Sequence, residues 1–333
     1  MTHTALFLGV DAGGTKTHAI IADADGNLCG QGRSGCGNWE AVGIDGAGAA
    51  LAQAIHIALT QVGAQASDLR AAGYGLAGVD WPSDEQRLAP MIAALGVPGP
   101  SALVNDSYVA LAAGAHDGCG VAVIAGTGSV VAGCNRHGER WRTFGVGGIW
   151  GDIGGASDLV ALATRAVAYA DYGRGPATAL TASLLAACGV HTVPELVEQV
   201  SRGTIHAPGS QLAPLVTAAA QAGDAVACAL AASIGSELGQ NAATVARRLN
   251  MCAEPFDLVL AGSVLCSGCA PLVDALLHEV RAIAPLVTPV VLGVPPAAGG
   301  VVLAMQVAGT PISAVGRARL LAALVHAPTA DRR

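Results

Sequence analysis

Lysine is nearly missing from this chain of 333 residues: Lys16 stands alone against 16 arginines. The 17 basic residues are scattered, and a net charge of −7 offers a polyanion no attraction, so neither nucleic acid nor an acidic membrane surface is an expected partner. No basic segment leads into an apolar run at the start, so no secretory leader is expected. Mean hydropathy is high at +0.52. Yet the longest uncharged stretch, 282–315, contains Pro285, Pro289, Pro295, Pro296, Gly299 and Gly300. Proline at that density breaks a spanning helix. The nine histidines form no HxxxH or HExxH pattern, which removes zinc-hydrolase chemistry. The glycine turn at 126–129 makes no P-loop, because no Gly-Lys-Ser/Thr follows at Walker spacing, and no Rossmann fingerprint, because the chain runs on into a strand. The nine cysteines, an odd number, fit a reducing, cytoplasmic setting in which buried thiols pack as small apolar groups.

What is present reads as a duplicated α/β chain. The apolar run Ala5 to Val10 ends in Asp11, a glycine turn follows, and Thr17 to Ala22 is a second apolar run closed by Ala24-Asp25-Gly26-Asn27. Helix is expected over 44–62 and strands near 71–76 and 103–104, with a helix over 107–115. The opening pattern then returns: apolar Val121 to Ala125, the turn Gly126-Thr127-Gly128-Ser129, and apolar Val130 to Gly133. Two such hairpins at the heads of two successive regions point to an internal repeat. Residues 156–250 read as mostly helical, 257–261 as a strand, and Pro271 as the first turn of a helix. A late strand is expected at 290–293 and a final helix at 297–307, with a loose arginine-tipped tail after Pro311. A chain of this length favours two domains around a cleft. Their expected limits are 1–115 plus 297–322, and 116–296.

Four places carry candidate chemistry. In Asp11-Ala12-Gly13-Gly14-Thr15-Lys16-Thr17, backbone N–H groups at Gly13, Gly14, Thr15 and Lys16 suit a phosphate, and Asp11 suits Mg²⁺ held through water. From this stretch alone the alternative is an ordinary hairpin turn with Asp11 as a local cap. Gly126, Thr127, Gly128 and Ser129 form a second turn of the same character, and two such turns together suit a triphosphate. Asn105-Asp106 lies at a strand end before a helix, where a carboxylate can accept the proton of an attacking hydroxyl; the alternative is a plain helix cap. Gly262-Ser263, after a further strand, is a platform for a nucleotide base. Cys266 and Cys269 form an isolated CxxC without the further ligands a metal needs.

In order, these motifs resemble the N-acetylglucosamine kinase and BadF/BadG/BcrA/BcrD ATPase family, in the actin-like ATPase (ribonuclease H-like) superfamily. DAGGTKT is similar to its first phosphate loop, AGTGS to its second, LAGSVLCSG to its adenosine loop, VNDSYVALAAG to the segment of its catalytic aspartate, and PPAAGGVVLAM to its closing helix. The resemblance implies ATP and Mg²⁺ as cofactors and Asp106 as general base. It further implies sugar contacts from Asn38, Trp39, Asp106, Thr127 and Asp152, a 6-hydroxyl as acceptor, and a homodimer as a common assembly. Two positions depart from the pattern: Ile153 stands where the family has glutamate, and Val146 where a tryptophan is frequent. N-acetylglucosamine is the expected sugar, with glucosamine, N-acetylmuramic acid or another hexose derivative open. An ATP-driven activator of 2-hydroxyacyl-CoA dehydratases and a sugar sensor are the alternatives from other classes.

Overall fold

A computed structural model describes residues 5–325. Its strands, in chain order, are β1 (Leu6–Ala12), β2 (Thr17–Asp23), β3 (Leu28–Ser34), β4 (Leu69–Leu76), β5 (Ser101–Asn105), β6 (Gly120–Ala125), β7 (Ser129–Cys134), β8 (Arg140–Arg142), β9 (Asp257–Ala261) and β10 (Thr288–Val291). The α-helices are α1 (Trp39–Val62), α2 (Pro82–Ala94), α3 (Asp106–Gly114), α4 (Ala156–Asp171), α5 (Leu180–Cys188), α6 (Val193–Ser201), α7 (Ala213–Gln221), α8 (Ala225–Arg248), α9 (Ala270–Arg281), α10 (Ala297–Val307) and α11 (Ala314–Val325).

Two mixed five-stranded sheets result, with orders β3-β2-β1-β4-β5 and β8-β7-β6-β9-β10. In each, three antiparallel strands come first, and the first of them in sequence then pairs in parallel with the fourth, which pairs in parallel with the fifth. The repeat read from the two glycine hairpins is therefore a repeat of topology. The chain divides into two compact units, Met1–Cys119 with Leu292–Arg333, and Gly120–Val291.

In the first unit, β1 and β2 are apolar on both faces and are covered on both. Leu8, Val10, Ala19 and Ile21 meet Leu51, Ala54, Ile55 and Ala58 of α1, a stripe at helical spacing. Phe7, Ile20 and Ala22 meet Ala297, Val301, Met305 and Leu320 of α10 and α11. Helix α10 lies so close to the sheet that a methyl on Gly9 or Gly73 would enter the backbone at Gly300. By length and apolarity α1 would suffice to cross a membrane. However, Gly43 (φ 74°, ψ 166°) interrupts its helical backbone, and its buried stripe lies on the sheet.

In the second unit the sheet is covered by α8 and the helices around it, with Val121, Val123 and Leu260 against Ile234, Leu238 and Val245. Two expectations need correction. The late strand is Thr288–Val291 and ends before Gly293, because its pairing with β9 sets its limits. The segment read as a loose tail is helical over Ala314–Val325: Ser313 accepts the Gly316 N–H at its start, and Leu320 and Leu324, four apart, are buried. The residues beyond 325 lie outside the described ones.

Candidate functional site

The first glycine loop joins β1 to β2. Ala12 pairs with Thr17, so the loop is Gly13-Gly14-Thr15-Lys16, closed by the Gly13 N–H donating to the Lys16 carbonyl (2.9 Å). The Thr17 hydroxyl donates to the Gly35 carbonyl (3.0 Å), and the Gly37 N–H to the Gly13 carbonyl (3.1 Å), which fix the loop from the β3 side. Neither Gly13 nor Gly14 has positive φ, and a methyl on Gly14 would meet no described residue within 4 Å. These glycines answer no need of the chain's own packing. What they leave is room for an approaching group.

Asp11 sits two residues before the loop, and Asp106 opens α3 directly after β5. Both lie at the carboxyl ends of parallel strands, the usual place for ligands in such sheets. Burial, then the Asp106 charge, raise the Asp11 carboxyl to about 7, with Lys16 acting in the opposite direction. Like charges close together disfavour joint ionisation, and a divalent cation relieves that conflict. The cap of α3 is Asn105 rather than Asp106: its side chain accepts the Ser107 N–H (3.1 Å) and donates to Asp80 Oδ1 (3.0 Å). Asp80 was not singled out by sequence. It is legible only once β4 and β5 are known to be neighbours.

Asn38 and Trp39 begin α1 in the same unit. The Asn38 side chain accepts the Glu40 N–H (2.9 Å), and the Trp39 indole N–H donates to the Gly78 carbonyl (2.7 Å), with the Arg87 guanidinium 5.2 Å from its ring centre. His18 was also missed. It pairs in register with Asp11 across β1 and β2, is buried, and its Nε2 has no hydrogen-bond partner. Burial and the nearby Arg33 charge lower its pKa to about 4.

The second unit assembles its own loop. Ala125 pairs with Ser129, so Gly126-Thr127-Gly128 is the turn, closed by the Gly126 N–H donating to the Gly128 carbonyl (2.9 Å). Again a methyl on Gly126 or Gly128 would meet nothing described within 4 Å. The start of α4 is docked behind it: Ala156 and Ser157 N–H groups donate to the carbonyls of Gly126 (2.8 Å) and Thr127 (3.1 Å). Gly155 lies so close to Gly128 that only a residue without Cβ fits. Gly262, with φ 90°, packs on the Ala125-Gly126 peptide, and the Val264 N–H donates to the Ala125 carbonyl (3.0 Å). Beside that turn opens a recess of about 490 Å³ lined by Ser263, Val264, Ser267, Pro214, Thr217 and Gln221 among others. The Ser129 hydroxyl is turned away from the loop and donates to the Asp152 carbonyl (3.0 Å). Asp152 is itself buried and accepts the Val146 N–H (3.1 Å), bracing a loop on which Ile149 and Trp150 are exposed.

Each unit thus presents a glycine loop with open space at its glycines, and in the first unit Asp11 stands two residues before the loop and under the influence of the Asp106 charge. A family model for the BadF/BadG/BcrA/BcrD ATPases matches residues 8–304. The chain belongs to that ATPase family. Its relatives include an N-acetylmuramic acid/N-acetylglucosamine kinase of Clostridium acetobutylicum, 29% identical over 78% of this chain and 85% of that one. An N-acetyl-D-glucosamine kinase of Dictyostelium discoideum is 29% identical over 77% and 84%. A solved Chromobacterium violaceum structure, named as a candidate N-acetylglucosamine kinase, superposes with TM-score 0.67 at 25% identity, covering 90% and 99%. Membership of this ATPase family implies use of ATP.

Proposed function

We propose that this family member is an ATP-dependent amino-sugar kinase that phosphorylates N-acetylglucosamine at its 6-hydroxyl. The observation that carries the reading is the pair of acids in the first unit. Asp106 heads a helix, with the cap taken over by Asn105, close enough to Asp11 to raise its pKa. Asp106 accepts the proton of the sugar hydroxyl as that oxygen attacks the γ-phosphorus. In the first unit Asn38 and Asp106 hold sugar hydroxyls, and Trp39 shapes the rim through its bond to Gly78. Each unit offers phosphate oxygens its own loop: N–H groups of Gly13 to Lys16 in the first, and N–H groups of Gly126 to Ser129 with the Thr127 hydroxyl in the second. Gly262, Ser263 and the adjoining recess receive the adenosine.

Asp11 is the residue suited to Mg²⁺, through water, with its charge conflict with Asp106 as the feature that fits a cation. When bound, the ion supplies neutralisation of the charge that develops on the transferring phosphoryl group. The names of the two curated relatives support the sugar class and keep N-acetylmuramic acid as the second acceptor to test.

The test is a coupled ADP-release assay over N-acetylglucosamine, glucosamine, N-acetylmuramic acid and glucose, followed by Asp106→Asn with the best acceptor. Sugar-dependent ADP release is expected, falling at least about a hundred-fold in Asp106→Asn while nucleotide binding persists. Full turnover in that variant, or no sugar-dependent release in the parent, overturns the reading.

A further inference from the structure

The helix that begins at Asp106 is held at its other end by a residue from a distant part of the chain. One terminal nitrogen of Arg317, on α11, donates to the carbonyls of Ala112 (3.2 Å), Ala113 (2.7 Å) and Ala115 (2.6 Å). Ala112 and Ala113 carry carbonyls of the last turn of α3, which has no helical N–H to offer them, while Ala115, one residue past the helix, also accepts the Gly118 N–H (3.4 Å); a cation there also complements the negative end of the helix dipole. No basic residue in α3 itself could serve in its last turn.

Two further contacts make the bond a constraint on position. Gly299 of α10 touches the backbone of α3 at Val109 and Ala113 with no room for a methyl, so α3 cannot roll or lift on that side. Helix α11 is anchored independently to the turn between β2 and β3. There Gly316 packs on the backbone of Asp25 and Gly26, and Arg319 donates to the Asp25 carbonyl (2.9 Å). The helix α11 therefore ties the foot of the β2–β3 hairpin to the foot of α3. Asp106 heads α3, and Asp11 stands on β1, which pairs along its length with β2 of the hairpin so tied.

We propose that Arg317 is a positioning residue for the reaction: by capping the carboxyl end of α3 it sets where Asp106 stands relative to Asp11. The inference rests on the reading of Asp106 as the base. Loss of the cap frees α3 to slide along its axis, and displacement of a reacting group by about 1 Å costs up to about a hundred-fold in rate. Because Arg317 touches neither substrate in this scheme, its effect falls on kcat.

The experiment compares Arg317→Ala, Arg317→Lys and Arg319→Ala in the full chain, measuring kcat, both KM values and the thermal midpoint with N-acetylglucosamine and ATP. Arg317→Ala is expected to lower kcat about ten-fold or more, with both KM values within about two-fold. Lysine, which keeps donors at that place, restores part of the loss. Arg319→Ala, an anchor that does not touch α3, lowers the midpoint without that loss of kcat. If Arg317→Ala does not fold, Arg317→Gln must show the same split. A kcat within about two-fold of the parent, or an equal fall in Arg319→Ala, overturns the inference while Asp106→Asn remains inactive. An Asp106→Asn variant with full turnover instead removes the base, and the inference with it.

Discussion

A pair of glycine-to-alanine exchanges separates glycines kept for folding from glycines kept for a ligand. Gly73 lies against the Gly300 carbonyl, where a methyl has no room, so Gly73→Ala forces α10 off the sheet at a cost of about 1–3 kcal/mol or more. Gly14 has neither positive φ nor any described neighbour within 4 Å of a new methyl. By loss of unfolded-state entropy alone, Gly14→Ala should stabilise the chain by about 0.4–1 kcal/mol. If the space over Gly14 belongs to phosphate oxygens, the same methyl must weaken nucleotide binding.

Nucleotide at one hundred times its dissociation constant stabilises a protein by about 2.7 kcal/mol, and a ten-fold loss of affinity reduces this to about 1.4 kcal/mol. Thermal unfolding with and without MgATP therefore reads both effects. Gly14→Ala should melt at or above the parent without nucleotide and gain roughly half as much from it. Gly73→Ala should melt lower in both conditions and keep the parent's gain. A Gly14→Ala protein with undiminished response to MgATP would refute the assignment of this loop.

Acid titration should show two opposed contributions. His18, whose folded pKa of about 4 lies below the ordinary 6.5, loses stability as pH falls from 6.5 toward 4, by about 3 kcal/mol in all. Asp11, raised to about 7, gains stability over the same fall because its folded form keeps a proton the unfolded chain has shed. Denaturant midpoints of Asp11→Asn should thus drop on acidification and those of His18→Gln should rise; equal slopes would contradict the two opposed shifts. Tyr74 is fully buried with an unpartnered hydroxyl, so Tyr74→Phe should hold or raise stability by about 1 kcal/mol, and a loss above that in chemical unfolding would show the hydroxyl is bonded. Gly43 combines φ 74° with ψ 166°, a region closed to side chains, so Gly43→Ala should cost about 1–3 kcal/mol and raise the KM for sugar by moving Asn38 and Trp39. An unchanged KM in that variant would detach the start of α1 from the sugar.

The sequence shows its fold where hydropathy carries the signal. The strand over 257–261 and the helix over 297–307 match β9 and α10, because a short apolar run ending in Gly262 and a proline pair before a small-residue helix are strong punctuation. Strand β3 escaped because its buried positions include Gly30 and Gly32, which pack against the α1 backbone by having no side chain. Helix α11 looked like a tail because Pro311 precedes it and Gly316 interrupts it, yet that glycine is its point of contact with the turn at Gly26. The loops at Gly13 and Gly126 were legible as loops. The pairing of Asp11 with His18, the Asn105–Asp80 bond and the Arg317 cap depend on which elements become neighbours, and no local pattern encodes that.

The two sheets share strand order and direction, so the difference in their chemistry cannot come from the fold. It comes from the residues at equivalent strand ends. Two positions before the first loop stands Asp11; two before the second stands Ile124. The strand β5 delivers Asn105-Asp106 into a helix, whereas β10 is followed by Leu292-Gly293-Val294, with no acid. Conversely, the second loop is backed by the first N–H groups of α4, while the first is held from behind by Gly37 and Thr17. On the proposed reading, the first copy of the scaffold thus supplies the carboxylates for phosphoryl transfer. The other backs its glycine loop with the first N–H groups of α4 and opens a recess beside Ser263 and Val264.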